Sequence, residues 1–345
     1  MDFVHFLSSH MLDPTVGGKR LYTSVVEQAV QAEKLGYCGV GIPEHHLVNV
    51  LLMPSPLQMA VKVAAHTTRM KLITSVCQLP LRDMRVFAGE VVQAQALCDG
   101  RLMLGVGKGA FACETERMEV PFELTKPWFE EDIKLLEALL TQENVTWESQ
   151  RYFFQDLTIM PRPEDPIPLM VAVMNPPGIE AAAKAGYHVQ TTPLGGKHQQ
   201  LLDQVDAFRR GKATAGRPLD TRLSLQRGVF LVQSDKEREY IAECAYTYYK
   251  SFDNVFGGPG IVDKGIIRPL PRAQTLEELA SNLLICARDE MIDRLSVYAE
   301  LGIDEVITTS NFGQEQFMVL DMMEHFAEEV MPLFRKAEAA KTISA

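Results

Sequence analysis

The stretch Tyr37-Cys38-Gly39-Val40-Gly41-Ile42-Pro43-Glu44-His45-His46 decides the reading of this chain, because a short apolar run ends in one carboxylate and two adjacent imidazoles. Residues 37–42 have the length and composition of a strand buried on both faces. Such a strand has no use for three ionisable side chains at its end unless that end opens into a cleft, where histidine exchanges protons near neutral pH. In α/β barrels the chemistry gathers at strand ends of this kind. A lone histidine there is more often a hydrogen-bonded core or capping residue than a catalyst, so even an adjacent pair needs context.

Outward from this stretch, apolar runs at 2–7, 70–76, 101–105, 169–174, 188–191, 223–232 and 305–309 repeat the pattern, with helical periods at 22–35, 86–97, 128–140 and 197–210. Eight strands predict a single (β/α)8 barrel over 1–345, and the length of 345 residues suits one. An open doubly wound sheet would carry a glycine-rich turn after its first strand, whereas Ser8-Ser9-His10 follows here. Two insertions interrupt the alternation: a strand pair at about 145–157 followed by a proline-rich linker, and a Gly- and Pro-dense stretch at about 252–274, which is expected to be a mobile loop or lid. In the last helix, 314–330, Phe317, Leu320, Phe326 and Val330 are expected to form the inward stripe.

With 46% hydrophobic residues the chain can bury a large core, and a net charge of −11 disfavours a general nucleic-acid binder. No run approaches the length that crosses a bilayer, and the N-terminus lacks the pattern of a secretory signal, so a soluble, cytoplasmic protein is expected. The six cysteines lack a C-x-x-C spacing and predict neither a zinc knuckle nor a disulfide framework, although Cys77 is a candidate to face a pocket. His5 and His10 lack a His-x-His spacing, and His45 and His46 as neighbours would point apart, so no metal site is expected.

Three further segments sit at strand ends of the same polarity, where a barrel would gather them with Glu44, His45 and His46 into one mouth. Leu104-Gly105-Val106-Gly107-Lys108-Gly109 offers close backbone approach and a positive charge for a phosphate. Ser75-Val76-Cys77-Gln78-Leu79-Pro80 runs out of the third strand. Met174-Asn175-Pro176-Pro177-Gly178 opens a helix whose free N–H groups are expected to take a phosphate oxygen. Phe6, Met53, Phe111 and Met174 are candidates for an apolar lining.

In this order the motifs resemble those of the bacterial luciferase-like flavin monooxygenases: Glu-His-His after strand two, Leu-Pro after strand three, the segment from Asp99 to Gly109, and the closing Phe326-Ala-Glu-Glu-Val-Met-Pro332. The resemblance spans nearly the whole chain. It implies a barrel of luciferase-like type that binds reduced FMN (FMNH2) at its C-terminal mouth, commonly as a homodimer, with a separate NAD(P)H:flavin reductase supplying the flavin and O2 as co-substrate. It implies a C4a-peroxyflavin that transfers one oxygen atom to a small apolar organic substrate. His45 matches the family's catalytic histidine, with Glu44 and His46 holding it. A non-proline cis peptide under the flavin ring would fall at Ser75-Val76, and Lys108 and Lys126 occupy the phosphate positions.

The chain also departs from the family. Lys108 and Lys126 replace arginines of the luciferases, a point charge for a planar fork. Gly107 stands where luciferase has a reactive cysteine, and Met174, Asn175 and Gly178 replace a glutamate, a serine and a threonine of the phosphate site. The stretch 284–288 lacks the usual glycine before the last barrel helix. Light emission is not implied. Within the same fold, an F420-dependent hydride-transfer oxidoreductase and a flavin-binding protein without turnover are the alternatives.

Overall fold

The computed structural model describes residues 1–335. Eight parallel strands close on themselves: β1 (Asp2–Phe6), β2 (Gly39–Ile42), β3 (Lys71–Thr74), β4 (Leu102–Gly107), β5 (Leu169–Ala172), β6 (His188–Thr191), β7 (Leu223–Leu231) and β8 (Glu305–Thr309). The ring shuts where β8 pairs with β1, placing Glu305 opposite Asp2 and Thr308 opposite His5. The sequence reading finds all eight, but β3 ends two residues early at Thr74 and β4 runs on to Gly107. Between them, Cys77–Gln78 pairs with Val106 and Gly107, so the glycine segment is strand as far as Gly107.

Apolar side chains divide into two cores. Val4, Phe6, Ile73, Met103, Met170 and Ile307 fill the inside of the ring, and a larger set packs the sheet against its helices. The helix Gly17–Leu35 shows how the outer set is built: Leu21, Val25, Ala29 and Ala32 recur along one face, and Gly36 stops the helix in the left-handed region at φ 83°. Gly105 is dictated by space, because a Cβ there would lie 1.9 Å from the carbonyl oxygen of Thr74. Arg101 anchors the opposite end of the barrel, donating to Thr67 Oγ1 at 3.0 Å and to the carbonyl oxygens of Ala64, Thr67 and Cys98.

Val145–Glu148 and Phe153–Leu157 form an antiparallel hairpin outside the ring. The helix Asp235–Val255 runs into the stretch 252–274, which carries a small hairpin, Val262–Asp263 with Ile266–Ile267. Asn49, in the loop after β2, accepts from the Ile267 N–H at 2.9 Å, and Asn254 donates to the carbonyl oxygens of Ile261 and Arg268.

Two expectations are corrected. Phe317 is 69% exposed, and the inward face of the last helix, Gln316–Glu329, is Val319, Met322, Met323, Phe326 and Ala327. The helix starts two residues later than expected, at Gln316, and Phe317 lies in its first turn on the solvent side. Cys77 faces no pocket: it is fully buried in the outer core, and burial pushes its thiol up to about 12. Among the described residues no helix is long and apolar enough to cross a membrane.

Candidate active site

At the C-terminal mouth, the end of β2 delivers Glu44, His45 and His46 into a network of carboxylates and imidazoles. His45 Nδ1 lies 3.0 Å from Glu114 Oε2, and the other oxygen of Glu114 accepts from the backbone N–H of His46. The imidazole stacks on Phe111, with ring centres 4.0 Å apart and planes 14° from parallel. A carboxylate only accepts, so in the neutral ring Nδ1 carries the proton and Nε2 keeps a lone pair. The ring is thereby fixed in tautomer and orientation, the arrangement a proton acceptor needs.

Glu44 does something else. Its Oε1 lies 2.7 Å from His46 Nε2 and 2.8 Å from Arg82 Nη1, while Oε2 accepts from the Gln78 N–H at 3.0 Å. It therefore ties the end of β2 to the segment after β3, and it makes no bond to His45. The role of holding His45, which the sequence reading gave to Glu44 and His46, belongs to Glu114.

Glu114 lies 69 residues from His45, on the short helix Ala112–Arg117, and is fully buried. Sequence reasoning missed it because Ala112-Cys-Glu-Thr-Glu-Arg117 reads as a solvated helix turn. The one available signal was its place directly after the glycine segment.

A second polar chain crosses the mouth below this network. Ser75 Oγ donates to Gln190 at 2.8 Å, Gln190 to Gln226 at 3.0 Å, and Gln226 to Thr309 Oγ1 at 3.1 Å, linking the ends of β3, β6, β7 and β8. The Ser75–Val76 peptide is cis. Beside it, a Cβ on Gly107 would lie 2.7 Å from Val76 Cγ2, and one on Gly109 (φ 87°) would lie 2.6 Å from Gln78 Oε1. That amide oxygen and the buried hydroxyls of Ser8, Ser9, Thr191 and Ser310 have no hydrogen-bond partner among the described residues.

His10, after β1, bonds Asn311 O through Nε2 at 3.0 Å and accepts from the Leu51 N–H through Nδ1. Burial lowers its pKa to about 4, so it is a neutral strut between loops. Of the apolar candidates, Phe6, Met53 and Phe111 are buried and Met174 is half-buried. Phe111 alone touches the His45 ring among the aromatic pairs.

The expected phosphate corner is built differently from the expectation. Pro176 and Pro177 have no N–H, the Gly178 N–H is taken by Asn175 Oδ1 at 2.9 Å, and the Ile179 N–H by Asn175 O at 3.1 Å. The start of the helix Pro176–Ala185 thus has no free backbone donor in its first turn. The Met174 carbonyl oxygen accepts from Gln204. Lys108 bonds the Gly109 carbonyl oxygen at 3.2 Å over the ring of Phe122, and Lys126 stands 75% exposed with Glu130 3.8 Å away.

Comparison with known proteins places this architecture. Residues 1–305 match the family described as luciferase-like monooxygenase, and the chain belongs to that family of oxidoreductases. It is 26% identical over 362 aligned positions to the oxygenase component of a flavin-dependent trigonelline monooxygenase of Acinetobacter baylyi, covering 100% of this chain and 99% of that protein. It is 29% identical over 330 positions to an F420-dependent glucose-6-phosphate dehydrogenase of Beutenbergia cavernae, covering 90% and 92%. Its fold superposes with a TM-score of 0.80 on the oxygenating constituent of 3,6-diketocamphane monooxygenase of Pseudomonas putida, a structure in complex with FMN, at 17% identity and over 97% and 99% of the two chains.

Proposed function

We propose that the chain is a monooxygenase that uses FMNH2 and O2 to place one oxygen atom on a small, largely apolar organic molecule. The observation that carries this reading is His45, held by Glu114 and stacked on Phe111 at the barrel mouth, with Nε2 left to take or return a proton. The residues present fit a flavin. The unpartnered hydroxyls of Ser8, Ser9, Thr191 and Ser310 and the amide oxygen of Gln78 are donors and acceptors of the kind a ring with N–H and C=O edges uses, and Gly107 and Gly109 let the backbone pass where a Cβ would collide with Val76 and Gln78.

Reduced FMN, when bound, would supply the two electrons that activate O2, one atom going to the substrate and the other to water. Ser75, Val76 and Gly107 would lie along its ring, with Lys108 and Lys126 meeting its phosphate by charge and Met174, Asn175 and Gly178 bordering that corner without a free backbone donor. His45 would take up a proton and return it as oxygen is reduced to water, with no net release, and Glu114 would hold the imidazolium while it is charged. A separate reductase would deliver the flavin, a reading supported by the Acinetobacter relative, which is the oxygenase component of a flavin-dependent monooxygenase.

The test is an anaerobic titration with FMNH2 and, in parallel, with reduced F420, followed by rapid mixing with O2. Saturable FMNH2 binding and a transient absorbing species distinct from both flavin redox states are expected. Binding of F420 alone would replace this reading with hydride transfer. Flavin oxidation identical to the protein-free control would leave a barrel without oxygenase chemistry.

A further inference from the structure

We propose that a cavity on the outer side of the barrel, beside β6 and β7, binds a compact dianionic oxyanion of the phosphate class, free or carried as a monoester. Side chains alternate along β7. Gln226 turns inward to Gln190 and Thr309, so Arg227 turns outward, toward the helices Leu276–Asn282 and Arg288–Glu300. Arg227 is only 4% exposed. Its Nε donates to the Tyr298 hydroxyl at 3.2 Å, Nη1 to Leu194 O at 2.8 Å, and Nη2 to Asn282 O.

All three acceptors are neutral, and among the described residues Arg227 makes no ion pair with a carboxylate. Three other deeply set arginines differ: Arg82 has Glu44, Arg151 has Asp132, and Arg272 has Asp253. A charge taken from water without a counter-ion is costly, and a guanidinium with five N–H donors has spare ones for a ligand.

The cavity beside it measures about 190 Å³ and is lined by Lys197, His198, Arg227, Ser281, Arg294 and Tyr298 among others, with no Asp or Glu in its wall. That is room for roughly six waters at about 30 Å³ each, the scale of a small oxyanion with an attached stub. Lys197 precedes the helix His198–Ala213, which has no side-chain cap and no acidic residue in its first turn, so its positive end faces an uncompensated site. Arg294 is pinned to the carbonyl oxygens of Leu283 and Ser281 at 2.7 and 3.0 Å, with Glu290 outside the cavity wall 3.7 Å from its Nη1, so Arg227 and Lys197 carry the uncompensated charge. The Tyr298 hydroxyl accepts from Arg227 and keeps its own proton for a ligand oxygen. Lys197, Arg227 and Arg294 suit a dianion with several acceptor oxygens better than a monocarboxylate.

The ligand would also act on the loop after β6. Arg227 holds Leu194 O, and Gln274 and Asn282 both donate to Gly195 O. An anion spanning Arg227 and Lys197 would fix the loop between them. None of Lys108, Lys126, Asn175 or Gly178 lines this cavity, so the site stands apart from the proposed flavin mouth.

The experiment is calorimetric titration of the full, flavin-free chain with inorganic phosphate, and with acetate at matched ionic strength. Saturable one-site phosphate binding without acetate binding is expected. Arg294→Gln and Val297→Glu should each weaken it about tenfold or more, roughly 1.4 kcal/mol, and Lys108→Ala should leave it unchanged. Val297 is 38% exposed at the cavity edge, so its new carboxylate repels the ligand without entering the core. The proposal is overturned by no saturable binding, by acetate binding equally well, by full affinity in a Val297→Glu variant with native circular dichroism, or by loss in Lys108→Ala alone. The Lys108→Ala arm separates this cavity from the proposed flavin-phosphate corner, and the other outcomes do not depend on the monooxygenase reading.

Discussion

Two corners of the barrel mouth differ in how much of their work is done before a ligand arrives. Where β2, β3 and β4 end, Glu44, Arg82, His46, His45 and Glu114 all have charged partners, in bonds of 2.7 to 3.0 Å where quoted, and both carboxylates are buried. Where β5 ends, the helix start has used up its own donors, and the nearest expected cations, Lys108 and Lys126, lean on a backbone carbonyl and a neighbouring surface glutamate. The first corner is organised for chemistry, because a proton acceptor must be in place when charge develops. The second is organised for release, as suits a flavin that arrives from another protein and leaves again. That reading rests on the proposed function.

The sharpest way to break the comparison is His45→Ala. Oxygenation of a substrate found by screening ketones and aldehydes should fall about 10²–10⁴-fold, the worth of a positioned acid–base group. Anaerobic FMNH2 affinity should stay nearly constant, since His45 bonds Glu114 and packs on Phe111. A variant that binds no flavin, or one that turns over normally, would show that the first corner holds the cofactor or nothing at all.

The two buried glutamates should separate next. Glu44→Gln leaves Arg82, whose side chain is 18% exposed, without its counter-charge, and should lower unfolding stability by about 3 kcal/mol in urea titrations. Glu114→Gln should cost turnover about 10–100-fold by releasing the His45 ring, with rapid-mixing kinetics recording the slower proton step. If Glu44→Gln were the more damaging to turnover per unit of stability lost, the assignment of the orienting role to Glu114 would be wrong.

His45 was legible because a buried strand has a narrow grammar, and Ile42 followed by Glu44-His45-His46 breaks it. The eight strands were legible for the same reason, as short apolar runs at barrel spacing. Glu114 was not legible, since nothing in its own helix says that it folds back over a loop 69 residues earlier. Arg227 was hidden by its strand, where one charged residue among apolar ones reads as an outward-facing solvated position. The blocked helix start after β5 could have been read: two prolines and an Asn cap at Asn175 remove the first donors by covalent chemistry alone.

Between the two corners, the buried histidines set a pH limit. Burial lowers His5 and His10 to about 4 from 6.5. The unfolded chain takes up protons between those values and the folded chain does not, so stability present above pH 6.5 is lost as pH falls toward 4. The urea midpoint should decline across that window, and His5→Gln should flatten the decline by up to one proton. An unchanged slope would mean that His5 opens to solvent before the chain unfolds.

The smallest effect should come from Lys126→Ala, and it is the most direct check on the second corner. Lys126 is 75% exposed and its Glu130 partner lies 3.8 Å away, so stability should move by less than about 1 kcal/mol. A lysine that meets a phosphate from the surface acts through a screened point charge. FMNH2 affinity should therefore fall only a few-fold at low ionic strength, and the difference from the unmodified chain should vanish as salt is added. A large loss that persists in high salt would mean that Lys126 is buried against the phosphate in the complex, and that the second corner, like the first, is built to hold.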